Sequence, residues 1–242
     1  MISMRIEKKY LVQVALLCLI VAGVWWPAGT PSDTLYQTST LHELIEGRYE
    51  GRFSYEDVMT HGDFGLGTFD GLDGEMVLLE GTVYQVDATG VVHERSGEAL
   101  TPFAQVTHFD VDLTSHYEDM DMEALTAEVS QLIPDRSLAY AVRIEGMFSS
   151  MEVRSVPRQE TPYVPLAEAL EHQVVFHLED VEGTIVGFWM PPSMDGPNAA
   201  GYHLHFITSD RSAGGHVLSF SAEDVDVALD ETYEVHIDIG EG

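Results

Sequence analysis

The stretch "GYHLHFITSDRSAGGHVL", residues 201–218, places His203, His205 and His216 within fourteen positions. In an extended strand successive side chains alternate faces, so His203 and His205 share one face and Leu204 takes the other. The segment "TSDRSAGG" has turn chemistry. An antiparallel return after it would bring His216 back beside the first pair. Three neutral imidazoles around one ion, with a coordination position left open, are the ligand set of a catalytic zinc site. The same residues also fit a half-exposed strand face with no metal, because H-x-H is a short motif. The pattern alone leaves both readings standing.

The elements around these residues predict an α+β chain of mixed or antiparallel sheets with short helices. Thr40 and Glu43 have capping-box spacing, and Leu41, Leu44 and Ile45 follow helical periodicity up to Gly47. "SYEDVMTHG" predicts a second short helix. From Gly65 short runs rich in Val, Leu and Tyr alternate with Gly-Asp turns, one of them at Asp87–Gly90. "DMEALTAEVSQLI" returns to helical spacing, with Met122, Leu125, Val129 and Leu132 on one side. "LAYAVRIEGMFSSMEVRSV" predicts two strands broken near Glu145–Gly146, and "QVVFHLEDVEGTIVGFWM" a hairpin through Glu182–Gly183. "VPLAEALEH" predicts a brief helix, "PPSMDGPNAAG" a surface loop, and "GHVLSFSA" and "YEVHIDI" the last strands. No phosphate-binding loop or dinucleotide fingerprint occurs.

The chain has 242 residues and a formal charge of −30 with histidine neutral. After residue 29 it carries eight Arg, no Lys and 40 acidic residues. Such a surface repels phosphate backbones, which argues against nucleic acid as a partner. It fits either a salt-adapted shell, whose self-repulsion is screened, or a bias toward solubility. The single cysteine, Cys18, lies in the N-terminal apolar run, so the body has neither a disulfide nor a thiolate ligand. Arg5, Lys8 and Lys9 precede the apolar run Tyr10–Trp26. A basic start and an apolar stretch predict export, with residues 1–29 either a cleaved signal peptide or an N-terminal membrane anchor. The product would be secreted, periplasmic or held at the cell envelope. Residues 30–38 then form a linker and 39–242 the folded body, with a division near residues 135/136 between an N-terminal and a metal-binding subdomain.

Three long segments carry a resemblance. "HGDFGLGTFDGLDGEMVLLEGTVYQ", "RIEGMFSSMEVRSVP" and "GYHLHFITSDRSAGGHVL" occur in the order in which acetolactate decarboxylases carry them, and "LHELIEGRYEG" and "TPFAQVTHF" fit as well. From about Leu35 to about His236 the chain is similar to that family. The resemblance implies two similar α+β subdomains, a homodimer, and zinc-dependent conversion of (S)-2-acetolactate to (R)-acetoin and carbon dioxide. It implies Zn2+ on His203, His205 and His216, a site carboxylate at Glu75 with Thr68 nearby, and a substrate-binding Arg154. The family pattern also has a second glutamate in a C-terminal tail; here the near-terminal glutamate available for that role is Glu241.

The chemistry assigns these residues tasks. Loss of carbon dioxide from acetolactate leaves an electron pair that must be delocalised onto the neighbouring ketone oxygen, where a Lewis acid helps. Arg154 can hold two carboxylate oxygens with its planar fork. Glu75, on an apolar strand face with Val77 and Leu79, should have a raised pKa and can return a proton to carbon. Glu80, on the other face, serves as the comparison. Two other functions use the same histidines: a three-histidine metal-dependent oxygenase, and a non-catalytic envelope module that binds metal.

Overall fold

The computed structural model describes residues 33–240. The export segment expected at 1–29 and the candidate Glu241 lie outside the described residues. Among those described, no helix is long and apolar enough to cross a membrane.

In chain order, β1 (Thr34–Thr38) and α1 (Leu41–Ile45) are followed by β2 (Phe53–Ser54) and α2 (Tyr55–Val58). A meander of β3 (Phe64–Thr68), β4 (Glu75–Leu79), β5 (Thr82–Val86) and β6 (Val92–Glu94) comes next. Then come β7 (Leu100–Thr101), β8 (Ala104–Thr107), β9 (Leu113–Asp121) and α3 (Met122–Leu132). The C-terminal part contains β10 (Ala139–Ser155), α4 (Leu166–Ala169), β11 (Val174–Met190), β12 (Gly201–Thr208), β13 (Gly214–Thr232) and β14 (Glu234–Asp238). The helix starts follow their side chains. Thr40 accepts from the Glu43 amide, Ser54 from the Asp57 amide and Asp121 from the Ala124 amide, each satisfying a donor the helix leaves orphaned.

Seven strands form the first sheet, in the order β14-β1-β8-β3-β4-β5-β6; β14 and β1 run parallel and the other pairs antiparallel. The second sheet has the order β10-β11-β12-β13-β9, and β13 also pairs with β10. Strands β10 to β13 therefore close into a ring, which removes most exposed edges. Inside it Val142, Ile144, Phe148, Ile185, Leu204, Phe206 and Val225 are buried together, and α3 adds Leu125 and Val129. The outer face of the ring turns Ala139, Ala141, Val186, Phe188 and Ile207 toward Leu35, Phe64, Val77 and Leu79 of the first sheet. This seam between the sheets positions the functional residues.

The α+β class holds, but several element boundaries differ from expectation. Residues 34–38 are not linker: they are β1, a strand inside the first sheet with Leu35, Gln37 and Thr38 fully buried. The short polar composition of that stretch hid a strand whose partners, β8 and β14, lie far away in sequence. Segment 139–155 is one strand. Its expected break at Glu145–Gly146 is a register irregularity around Met147–Ser150 against β13, while pairing with β11 continues. Segment 174–190 is also one strand, not a hairpin. Gly183 makes room for the Phe206 ring, which a Cβ there would meet at 2.4 Å. The strand expected at "GHVLSFSA" runs on to Thr232. The sheets also cross the division placed at 135/136, because β9 joins the second sheet and β14 returns to the first.

Candidate metal centre and active site

His203 and His205 lie on β12 and point out of the ring, toward the first sheet. Leu204 and Phe206, between and beyond them, fill the ring interior. His216, on β13, pairs directly with His205, so the turn returns it to the same side as expected. It also pairs with Arg154 of β10. This double contact depends on Gly215, which has φ +143° and whose added Cβ would meet the Arg154 carbonyl oxygen at 2.5 Å. Only glycine takes that conformation cheaply.

The three imidazole rings are mutual neighbours, with centroids 5.1 to 5.2 Å apart. One ring nitrogen from each falls within 4.8 Å of the other two. Desolvation holds all three far below the usual histidine range. For His203 the charge of His205 and Arg154 adds to it; for His216, Arg154 and the two other histidines do. His205 is depressed to about 3, although its bond to the Met76 carbonyl works the other way. All three rings are therefore neutral at physiological pH. His205 Nδ1 sits 2.8 Å from that carbonyl oxygen, an arrangement that fixes the proton on Nδ1 and presents Nε2 to the pocket. His205 Nε2 and His216 Nδ1 are buried and have no hydrogen-bond partner. Buried orphan nitrogens in neutral rings fit a divalent ion, and imidazole suits zinc among others.

Glu75 enters from the first sheet. The turn Phe69–Gly74 ends at Gly74, with φ +80° and no room for a Cβ against the Val86 carbonyl oxygen at 2.3 Å. Thr68 pairs with Glu75 across β3 and β4, and its hydroxyl donates to the Gly74 carbonyl at 2.7 Å. Thr68 thus closes the turn that delivers Glu75, and it lines the same pocket. Glu75 is buried, on one face with Val77 and Leu79. Its Oε2 lies 3.5 Å from His205 Nε2, and Arg154 Nη1 donates to its Oε1 at 2.6 Å. Burial raises the Glu75 pKa; Arg154 pulls against that, and the net shift is upward. Glu80 is exposed in the turn after β4.

These groups converge on a pocket of about 280 Å³. Its polar end consists of Thr68, Glu75, Arg154 and the three histidines. The rest of the lining includes an apolar wall that sequence reasoning missed: Leu41 and Leu44 of α1, Leu72, Phe103, Val156 and Leu166. Tyr202 also lines it, with its hydroxyl 2.9 Å from Ser130 on α3. The only sequence signal for this wall was the apolar face of the first helix. An exposed group of His116, Glu118 and Asp224 also brings three ligand atoms within 4.8 Å, but its carboxylates are solvated and pair with the protonatable His116.

Residues 35–241 match the family model for alpha-acetolactate decarboxylase. The chain belongs to the alpha-acetolactate decarboxylase family. It is 50% identical over 202 residues to an alpha-acetolactate decarboxylase of Methanosarcina mazei, covering 83% of this chain and 70% of that one. Against the Methylococcus capsulatus enzyme identity is 40% over 216 residues, 89% of this chain and 83% of the relative. The crystal structure of alpha-acetolactate decarboxylase from Bacillus subtilis strain 168 superposes with a TM-score of 0.85 at 37% identity, over 86% of this chain and 90% of that one. The family is one of carboxy-lyases, and this chain is a decarboxylase.

Proposed function

We propose that the chain decarboxylates (S)-2-acetolactate to (R)-acetoin with a zinc ion on His203, His205 and His216. The observation that carries this reading is the convergence of three neutral histidines with the Glu75–Arg154 pair in one small pocket. A zinc ion held there would supply Lewis-acid stabilisation of negative charge at the ketone and hydroxyl oxygens of the substrate.

The chain's own residues do the rest. Arg154 is the cation for the substrate carboxylate; its partner in the structure is Glu75, so a substrate carboxylate competes with Glu75 for the guanidinium. As Arg154 turns to the substrate, Glu75 loses the charge that lowers its pKa and takes up a proton more readily. A protonated Glu75 can then deliver that proton to the carbon from which carbon dioxide departs. Delivery from one wall sets the handedness of the product. Thr68 holds the turn that aims Glu75. The leucine-rich wall excludes water from the bond being broken and accepts the methyl groups of the substrate.

The basic start and apolar run of the N-terminus support export, and the family resemblance supports a homodimer. The deciding assay is acetoin formation from racemic acetolactate by the zinc-loaded chain, with loss on chelation and recovery on adding zinc. Metal binding without turnover would favour a binding module, and oxygen uptake an oxygenase.

A further inference from the structure

Between β11 and β12, residues 192–200 are exposed or half-buried except at Asn198, which is 1% exposed. A polar side chain buried in a surface loop has to have its hydrogen bonds met. Asn198 Nδ2 donates to Gln37 Oε1 at 2.8 Å, and its Oδ1 accepts from the Ala199 amide at 2.7 Å. Its backbone is engaged as well: the amide donates to the Met194 carbonyl, and the carbonyl accepts from the Gly196 amide. The loop is wrapped around this one residue.

Gln37 of β1, fully buried, is its counterpart across 161 residues. Gln37 Nε2 donates to the Ser39 carbonyl at 2.8 Å and to the Pro197 carbonyl at 3.0 Å. With both hydrogens on carbonyl oxygens, Oε1 has to face Asn198, so the amide has one orientation. Gln105 Nε2 approaches the same Oε1 at 3.4 Å. Ser39, whose carbonyl Gln37 holds, has φ +61°, a left-handed backbone uncommon outside glycine. That residue turns the chain from β1 into the Thr40 cap of α1. The Pro197 carbonyl also accepts from the amide of Leu41, the first residue of α1, at 2.9 Å.

The elements held in this way are pocket wall. Leu41 and Leu44 line the pocket, and so does Ala199, the residue after Asn198. Gln37 and Asn198 are not part of the lining. In a pocket of about 280 Å³ a small shift of either segment changes which groups fit.

We propose that Gln37 and Asn198 are positioning residues, one buried amide latch that fixes Leu41 and Ala199 relative to each other. On the substrate reading given above, the latch thereby sets which alkyl groups the pocket accepts. A wall that grips the alkyl part of the substrate holds ground state and transition state alike, so loosening it raises KM and spares kcat. One methylene in an apolar pocket is discriminated by about 10- to 200-fold, so selectivity reports the position of the wall.

The test compares full-length, zinc-loaded wild type with Asn198→Ala, Gln37→Met and the double variant. The substrates are acetolactate and its homologue with an ethyl group in place of the methyl on the hydroxyl-bearing carbon. Each single variant should raise KM for acetolactate about five- to ten-fold with kcat within about two-fold. Relative kcat/KM should shift toward the ethyl homologue by about three-fold or more. The double variant should be no worse than either single one, because the two residues act as a unit. Ser193→Ala, at an exposed position of the same loop, should change nothing. If Gln37→Met does not fold, Asn198→Ala decides. Hydrogen exchange gives a readout without substrate: the Leu41 amide should lose protection in both single variants, and β4 should not. In Gln37→Met the Ala199 amide, which keeps its Asn198 partner, should lose protection too. A fall in kcat at constant KM, an unchanged substrate ratio, or additive effects in the double variant would overturn the latch, as would unaltered exchange at Leu41. A wild type that does not decarboxylate acetolactate would overturn the substrate reading instead, and exchange at Leu41 and Ala199 would still decide the latch.

Discussion

Arg154 Nη1 donates to Glu75 Oε1 at 2.6 Å, across 79 residues and from one sheet to the other. Both side chains are largely withdrawn from water, 14% and 8% exposed. The pair therefore couples the seam of the fold to the chemistry of the pocket. Glu75→Gln keeps the shape and the acceptor but removes the acid proposed to donate the proton. Turnover should fall by roughly 10²–10⁴, the range for a lost general acid. Glu80→Gln changes the same side chain on the surface and should leave turnover within about two-fold, since surface substitutions are nearly neutral. Acetoin formation by the two purified variants measures the contrast; equal losses would remove Glu75 from its role.

Breaking the pair from the other side has a pH signature. Glu75 has a raised pKa in the folded protein, so its contribution to stability is greatest at low pH and declines as pH rises through the folded value. Arg154→Met removes the charge that limits this rise, and so the decline deepens. The variant should be about 3–5 kcal/mol less stable than wild type above neutrality, the usual cost of leaving a buried charge unpaired. The deficit should shrink toward pH 4, where Glu75 is neutral in both. Urea denaturation at pH 4, 6 and 8 shows whether the difference narrows in that direction.

Metal removal should expose the histidines. Their folded-state pKa values are lowered, and a group lowered on folding adds stability above its unfolded pKa and loses it as pH falls. The chelated protein should therefore weaken steadily below about pH 6.5, the unfolded histidine value, down toward the pKa of about 3 that His205 has in the fold. Zinc should raise stability across the neutral range, because it binds the native state alone. His205→Gln should flatten the acid limb of the chelated protein and abolish the zinc effect. Denaturation curves with and without zinc at several pH values measure both.

Gly215 offers a test of how backbone geometry builds the centre. Gly215→Ala puts a methyl group against the Arg154 carbonyl in a φ of +143°. Strain of this kind costs about 1–3 kcal/mol. The strand should relieve it by moving His216 away from β10, so zinc affinity should fall together with stability. Gly81→Ala, also at positive φ but with open space around it, controls for strain without displacement. Zinc titration of both variants separates the two effects.

The histidine triad was legible because strand alternation and a short turn are local rules, and His205 pairs with His216 as they require. The helix starts at Thr40 and Ser54 were legible for the same reason. The strand lengths were not. Gly146 and Gly183 resemble turns locally, but within long strands they serve a register shift and the packing of Phe206. Nor could sequence pair Glu75 with Arg154, since that contact arises only when the sheets stack.

The strand β1 makes that distinction measurable. Had residues 30–38 been linker, a chain starting at Thr40 would fold as well as one starting at Pro31. In the structure β1 lies between β8 and β14, and it alone joins β14 to the rest of the first sheet. Leu35 and Tyr36 are buried, the Thr38 hydroxyl accepts from the Ala104 amide at 2.8 Å, and Gln37 receives the Asn198 amide. Burial of a large apolar side chain contributes about 1.5–3 kcal/mol, so these two together supply about 3–6 kcal/mol, a large share of the roughly 5–15 kcal/mol that holds a typical domain folded. A chain beginning at Thr40 should therefore be recovered unfolded or aggregated, with the edge of β8 unpaired. One beginning at Pro31 should melt cooperatively. Circular dichroism melts of the two truncations, made side by side, give the answer, and a well-folded shorter chain would return β1 to the status of a tether.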